Sequence, residues 1–240
     1  SMLSGNLIYK SYYNWWKNIN KTVLILVAVL FGLGLFFSLV STSLIASDKL
    51  NTNSYYFFIR HLLFIVVGVF FIIFFSSLKH DDLIKVSRLL FILFLFFLIL
   101  VPFLGVEIKG SRRWMDLPLL PRFQPIELLK PFLIVTLASV LSYENNKNIY
   151  YKFFLSFLIL TPVILLLIAQ PDVGQTLLTF LTWLSLIFVS GINLIIFFVF
   201  FVLLCFLLIV AIYLFPNKFG YILTRLQSFF DPTSGNNYQS

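Results

Sequence analysis

The stretch from Val173 to Asn217 contains no Asp, Glu, Lys or Arg. A helix needs about 20 apolar residues to cross roughly 30 Å of hydrocarbon, so this stretch is too long for a single crossing. It is also too apolar for a water-soluble domain, since 60% of the 240 residues are hydrophobic and 11% are charged, whereas about a quarter of a soluble domain is charged. The chain is therefore predicted to be an integral membrane protein.

The spacing of the apolar runs predicts an all-α fold, a polytopic bundle of transmembrane helices. The long uncharged stretch is divided at Ser190-Gly191-Ile192-Asn193, because Gly and Asn favour turns. The seven predicted spans lie near residues 22–44, 61–78, 86–104, 124–142, 153–169, 173–190 and 194–215. An odd number of spans puts the two ends of the chain on opposite sides of the membrane.

The orientation of the bundle is not decided by the positive-inside rule, because Lys and Arg divide equally between the loops of the two sides. The basic segment before the first span carries no acidic residue and favours a cytoplasmic N-terminus. Residues 1–21 are then expected to be cytoplasmic, 22–215 to form the spans and 216–240 to begin an extracytoplasmic loop. The loop 105–123 is then extracytoplasmic and unusually basic for that side.

Three segments carry residues suited to chemistry, and the first is the loop with Lys109, Arg112, Arg113 and Trp114. Guanidinium groups bind phosphate oxygens in bidentate fashion, and a neighbouring Trp can stack on a sugar or lie at the headgroup boundary. The loop is therefore a candidate phosphate-binding site. The alternative is a loop whose long basic side chains reach the lipid headgroups with no further role.

The second segment opens the fourth span with Gln124, Glu127 and Lys130. Glu127 and Lys130 are three residues apart, so they share a helix face and can form an ion pair. Charges at membrane depth usually face the bundle interior or a wet cavity, which makes a ligand-binding role and a structural ion pair equally plausible. Pro125 suits the first turn of a helix, whereas Pro131 removes a backbone hydrogen bond.

The third segment is Gln170-Pro171-Asp172, whose carboxylate is the one charged side chain between Lys152 and Lys218. A carboxylate within or beside a membrane span is a functional-site hypothesis by default. Asp172 also precedes a predicted helix and can cap its free amide groups. The two roles are compatible, and we predict both.

Other classes of site find little support in the sequence. The net charge of +8 comes from residues scattered between apolar runs, which favours anionic lipid headgroups or a lipid-linked phosphate over nucleic acid. The histidines His61 and His80 have no Cys or carboxylate neighbours at metal-ligand spacing. Cys205, the single cysteine, cannot form an internal disulfide, and no Gly-rich phosphate loop is present.

Together the motifs resemble the SEDS family (shape, elongation, division and sporulation), the family of FtsW and RodA. The resemblance rests on Gly110–Trp114, Gln124–Lys130, Gln170–Gly174, and the tail from Arg225 through Asp231-Pro232 to Tyr238-Gln239. The segments 55–61 and 106–110 are more similar to the division branch, FtsW, than to the elongation branch. One departure is Ile126, where the family has a serine.

The resemblance implies a single SEDS-type membrane domain of ten spans, of which residues 1–240 would supply the N-terminal seven. The aspartate regarded as catalytic in the family lies in the large extracytoplasmic loop after span seven, so it is expected beyond Ser240 and no catalytic residue is assigned within the chain. The expected location is the bacterial cytoplasmic membrane at the division septum.

The implied activity is that of a peptidoglycan glycosyltransferase that polymerises lipid II, the undecaprenyl-pyrophosphate-linked disaccharide-pentapeptide. Lys109, Arg112 and Arg113 would bind the lipid phosphates, and Trp114 and Gln124 would belong to the substrate site. Glu127, Lys130, Gln170 and Asp172 would line or shape the cavity. The implied partners are a class B penicillin-binding protein and other division proteins, and Mg²⁺ or Mn²⁺ could assist at the pyrophosphate. A lipid II flippase and a non-catalytic division scaffold are the alternatives.

Overall fold

The computed structural model describes residues 13–49, 56–108, 111–118, 121–143, 148–191 and 193–214. These residues form mostly long helices joined by short connections. A short helical segment covers residues 13–18. The longer elements are α1 (Lys21–Lys49), α2 (Tyr56–Ser77), α3 (His80–Leu104), β1 (Val106–Ile108), β2 (Ser111–Trp114), α4 (Pro125–Ser142), α5 (Ile149–Ala169), α6 (Val173–Val189) and α7 (Leu194–Leu214).

Each of the seven predicted spans corresponds to one of these seven helices. Five of the described helices, α1 to α5, are long and apolar enough to cross a membrane by length and composition. The helix α6 has 17 residues, and the fully described part of α7 is similarly short, so the number of crossings stays a prediction. The helix α3 begins before its apolar run, because Asp81 and Asp82 in its first turn interact favourably with the helix dipole.

Contacts along the chain group it into two compact units, Ser1–Leu83 and Ile84–Ser240. In the first unit, α1 and α2 pack against each other. Gly34 lies at this contact, since a Cβ built there would be 3.0 Å from Nε2 of His61. Nε1 of Trp15 donates a hydrogen bond of 2.8 Å to Oγ of Ser76, which ties the segment before α1 to the end of α2.

The second unit has a continuous apolar core in which α4, α5 and α6 contact one another and α3 contributes residues that include Leu98. The rings of Phe94 and Phe132 stack with centroids 5.7 Å apart, which joins α3 to α4. One polar pair lies inside this core, where Nε1 of Trp183 donates to Oγ of the fully buried Ser156 at 3.0 Å. This packing holds the starts of α4 and α6, where the charged residues lie.

A small antiparallel hairpin follows α3 and was not predicted. Its register pairs Glu107 with Arg112 and Val106 with Trp114. The turn into it is tight at Gly105, where a Cβ would lie 2.3 Å from the carbonyl oxygen of Val101, so a larger residue would force the backbone to move. Because the hairpin directly follows α3, it lies at the end of the second unit where α3 and α5 end and where α4 and α6 begin.

Candidate substrate site at the hairpin end of the bundle

Asp172 is the anchor of the charged cluster at this end of the second unit. It is the N-cap of α6, and its Oδ1 accepts a hydrogen bond of 3.3 Å from the backbone amide of Gln175. The residue is 5% exposed, so its charge must be compensated by neighbouring groups. The predicted capping role of Asp172 is confirmed.

The other carboxylate oxygen of Asp172 is held by side chains from two further elements. Nη1 of Arg113, on β2, lies 3.6 Å from Oδ2, and Nε2 of Gln124, just before α4, donates to the same oxygen at 3.1 Å. Arg113 also donates to the carbonyl oxygen of Pro171 at 3.1 Å. Asp172 therefore joins the hairpin, the start of α4 and the start of α6.

A second charged group lies one turn further along α4. Nζ of Lys130 is 2.8 Å from Oε2 of Glu127, which confirms the predicted ion pair. Gln175 bridges the two: it accepts from Lys130 at 2.9 Å and donates to Oε1 of Glu127 at 2.6 Å. Since the backbone amide of Gln175 also binds Asp172, the two groups form one connected network.

A groove of about 400 Å³ begins at this network and runs between α4 and α6. Glu127 and Lys130 lie at its polar end, and the rest is mostly apolar. Thr179 also lines the groove, is 4% exposed, and has an Oγ1 without a hydrogen-bond partner among the described residues. The combination suits a ligand with a charged end and a long apolar portion.

The outer face of the hairpin presents a different set of groups. Arg112 is half-exposed and lies 3.6 Å from Oε2 of Glu107, its partner across the strands. Trp114 is exposed and lies two residues after Arg112 on β2, beyond a bulge in the register of the two strands. An exposed cation and an exposed indole on one short hairpin can bind a phosphate and stack on a sugar ring.

The predicted site residues thus fall into three locations. Arg113, Gln124, Glu127, Lys130 and Asp172 belong to the connected network. Arg112 and Trp114 are the exposed residues of β2. Gln170 is buried and donates to the carbonyl oxygen of Leu98 at 3.4 Å, which ties the loop before α6 to α3.

Two site predictions fall outside the described residues, and one site residue was missed. Lys109 and the tail motif from Arg225 to Gln239 lie outside the described residues. Gln175 was not predicted as a site residue, although it closes the network. The available signal was an amide side chain three residues after Asp172, the only Asn or Gln in this helix.

Comparison with known proteins shows the family of the chain. The family model of the cell cycle proteins FtsW, RodA and SpoVE matches residues 21–240. The chain belongs to this family. It is 31% identical over 220 residues to a probable peptidoglycan glycosyltransferase FtsW of Buchnera aphidicola subsp. Acyrthosiphon pisum, covering 88% of this chain and 52% of that protein.

A similarly named protein of Coxiella burnetii is 32% identical over 237 residues, covering 96% of this chain and 62% of its own length. In a solved peptidoglycan synthase complex, described as coordinating polymerization and crosslinking, one chain matches with a TM-score of 0.70 and 28% identity. That match covers 90% of this chain and 60% of the other.

The chain therefore spans a little over half the length of the relatives it matches. The family, together with the apolar helices, identifies a multi-pass membrane protein. The resemblance to the SEDS family and the predicted helical fold are confirmed. The single ten-span domain stays a prediction.

Proposed function

We propose that the native protein containing this chain is a lipid II polymerase of the division machinery. In the reaction, the 4-hydroxyl of a GlcNAc attacks the anomeric carbon of the MurNAc at the reducing end of the growing glycan. Undecaprenyl pyrophosphate leaves with the bonding electron pair, and a carboxylate accepts the proton of the hydroxyl. The observation that carries this proposal is the polar network at the mouth of an apolar groove.

The groove suits a lipid-linked pyrophosphate because it combines two chemistries. Its apolar walls match an isoprenoid chain, and its polar end carries Lys130, an ammonium group that is paired with Glu127 at 2.8 Å and can also interact with the leaving group. Arg112 is half-exposed. Its Nε lies near Glu107 and its Nη1 donates to the carbonyl oxygen of Pro102 at 3.4 Å, which leaves the donors of Nη2 for a phosphate. Arg112 and Lys130 are therefore the cations that we propose bind the substrate directly.

Arg113 and Asp172 contribute differently. Both oxygens of Asp172 already accept from neighbouring groups, and the residue is buried. We therefore propose that Asp172 is a positioning residue and that it keeps Arg113 and the start of α6 in place. This agrees with a base supplied by another carboxylate, as the family resemblance implies.

We place the native protein in the bacterial cytoplasmic membrane at the septum, with its N-terminus in the cytoplasm. We further propose a class B penicillin-binding protein as its partner, since a similar chain occurs in a peptidoglycan synthase complex. We also propose that Mg²⁺ or Mn²⁺ can act at the pyrophosphate of the substrate. Among the described residues, no three His, Cys, Asp or Glu side chains are grouped to hold a metal ion.

The test is polymerisation of fluorescent lipid II by the purified native protein together with the class B partner. Arg112→Gln should lower the rate of glycan formation by about tenfold, the effect of losing one or two charge-assisted hydrogen bonds. Arg122→Gln is the matched control, because Arg122 lies in the same loop but pairs with the exposed Asp116.

Equal rates for Arg112→Gln, Lys130→Met and the wild type would show that these cations do not bind the substrate. If the wild type formed no glycan but moved lipid II across a vesicle bilayer, the flippase alternative would replace the polymerase. Absence of both activities would favour a scaffold.

A further inference from the structure

A second cavity, of about 420 Å³, lies at the opposite end of the second unit. It is formed by the start of α3, the end of α4 and the start of α5, with lining residues that include Arg88, Ser139 and Lys152. Along α4, Ser139 is 12 residues from Glu127, which corresponds to about 18 Å at the helical rise. The cavity is therefore separate from the candidate substrate site.

Two cations in this cavity have no acidic partner among the described residues. Nη2 of Arg88 donates to Oγ of Ser139 at 3.1 Å, and Nζ of Lys152 donates to the carbonyl oxygen of Tyr143. No carboxylate of the described residues lies within 4.0 Å of either cation. The adjoining residues 144–147, which lie outside the described part, carry one Glu and one Lys, so their formal charges cancel.

The remaining lining groups are those found where a helix meets lipid headgroups. Tyr143 and Tyr151 line the cavity, and tyrosines are enriched at membrane interfaces. Tyr151, Leu155 and Leu158 follow one another at positions i, i+4 and i+7 and therefore share one face of α5. Leu158 is exposed, so this face continues from the cavity along the apolar surface of the helix.

We propose that this cavity binds the phosphate of an anionic phospholipid headgroup. Arg88 and Lys152 hold the phosphate oxygens, the Tyr hydroxyl groups lie at the headgroup level, and an acyl chain follows the Leu155 face of α5. Basic pockets between transmembrane helices bind anionic headgroups by this combination of charge and hydrogen bonding. A lipid bound here joins the ends of three helices. This lipid-binding proposal does not depend on the proposed polymerase activity.

The experiment measures lipid binding to the native protein by native mass spectrometry after removal of bound lipid. The probes are phosphatidylglycerol, phosphatidylcholine and, in a parallel thermal-melting titration, inorganic phosphate against chloride at equal ionic strength. The variants are Arg88→Gln/Lys152→Gln and the matched control Lys85→Gln, an exposed cation on α3 that does not line the cavity. Arg88→Lys, which retains the charge, serves as a second variant that is expected to fold normally.

We expect wild type, Lys85→Gln and Arg88→Lys to prefer phosphatidylglycerol over phosphatidylcholine. We expect the double Gln variant to bind phosphatidylglycerol about tenfold more weakly, since it loses charge-assisted hydrogen bonds. The proposal is overturned if the double variant, with an unchanged melting temperature in neutral detergent, binds as the wild type does. Stabilisation by inorganic phosphate without preference for phosphatidylglycerol would also overturn it, because the source would then be a soluble phosphate.

Discussion

Replacing Asp172 with Ala should destabilise the native protein more than any other single loss of charge in the candidate site. The side chain caps α6, which is worth about 0.5 to 2 kcal/mol. It also compensates Arg113, whose side chain is 27% exposed and lies 3.6 Å from Oδ2. Breaking a fully buried pair costs about 3 to 5 kcal/mol, and the partial exposure of Arg113 reduces this, so we expect a total loss of about 3 kcal/mol.

Asp172→Asn separates the two contributions. The amide keeps an oxygen that can accept from the backbone of Gln175, so the cap survives, whereas the charge opposite Arg113 is lost. The expected loss for Asn is about 1 to 2 kcal/mol, below that for Ala. In a double-mutant cycle with Arg113→Gln, we expect a coupling energy of about 1 kcal/mol, within the usual range for contacting charges.

The assay is reversible unfolding by sodium dodecyl sulfate in mixed micelles, followed by helical circular dichroism. Asp116→Asn is the control, because Asp116 is exposed and its ion pair with Arg122 should contribute less than about 1 kcal/mol. Equal stability of Asp172→Ala and the wild type would refute the proposed anchoring role. Equal losses for Ala and Asn would refute the contribution of the cap.

Three further outcomes test other parts of the structure. Ser156→Ala should cost about 1 to 3 kcal/mol in the same unfolding assay, since it leaves the buried indole N–H of Trp183 without its acceptor; the exposed Ser185→Ala should change little. Lys130→Met should lower lipid II polymerisation by about tenfold, with a smaller effect on unfolding because Glu127 is half-exposed; an unchanged rate would exclude Lys130 from the site. Arg112→Gln should alter unfolding by less than about 1 kcal/mol, as expected for a surface pair, and a larger change would mean that Arg112 is structural.

The local features of the candidate site could be predicted because they depend on short sequence spacing. Glu127 and Lys130 are three residues apart, and helix geometry alone brings them together. Asp172 precedes an apolar helix, and an aspartate in that position satisfies free backbone amides. The seven helices could be predicted for the same reason, since five follow from separate apolar runs and the last two from one uncharged stretch divided at its turn residues.

The joining of these local features could not be predicted from spacing. Gln124 and Asp172 are 48 residues apart, as are Glu127 and Gln175, and their contacts depend on how α4 packs against α6. Apolar helices with apolar residues on every side give no sequence signal for which face meets which neighbour. The hairpin carried a weak signal, the alternating Val106–Ile108 followed by a Gly, which favours a strand and a turn.

The hairpin also gives two adjacent arginines different surroundings. Arg113 is the extra residue in the register of the two strands, because Val106 pairs with Trp114 and Glu107 pairs with Arg112. Arg113 pairs with the buried Asp172, whereas Arg112 is half-exposed and pairs with Glu107. From the sequence alone, both arginines are predicted to bind the lipid phosphates. The contact with the buried Asp172 favours a structural role for Arg113, and the half-exposed Arg112 is the arginine that we propose binds a phosphate.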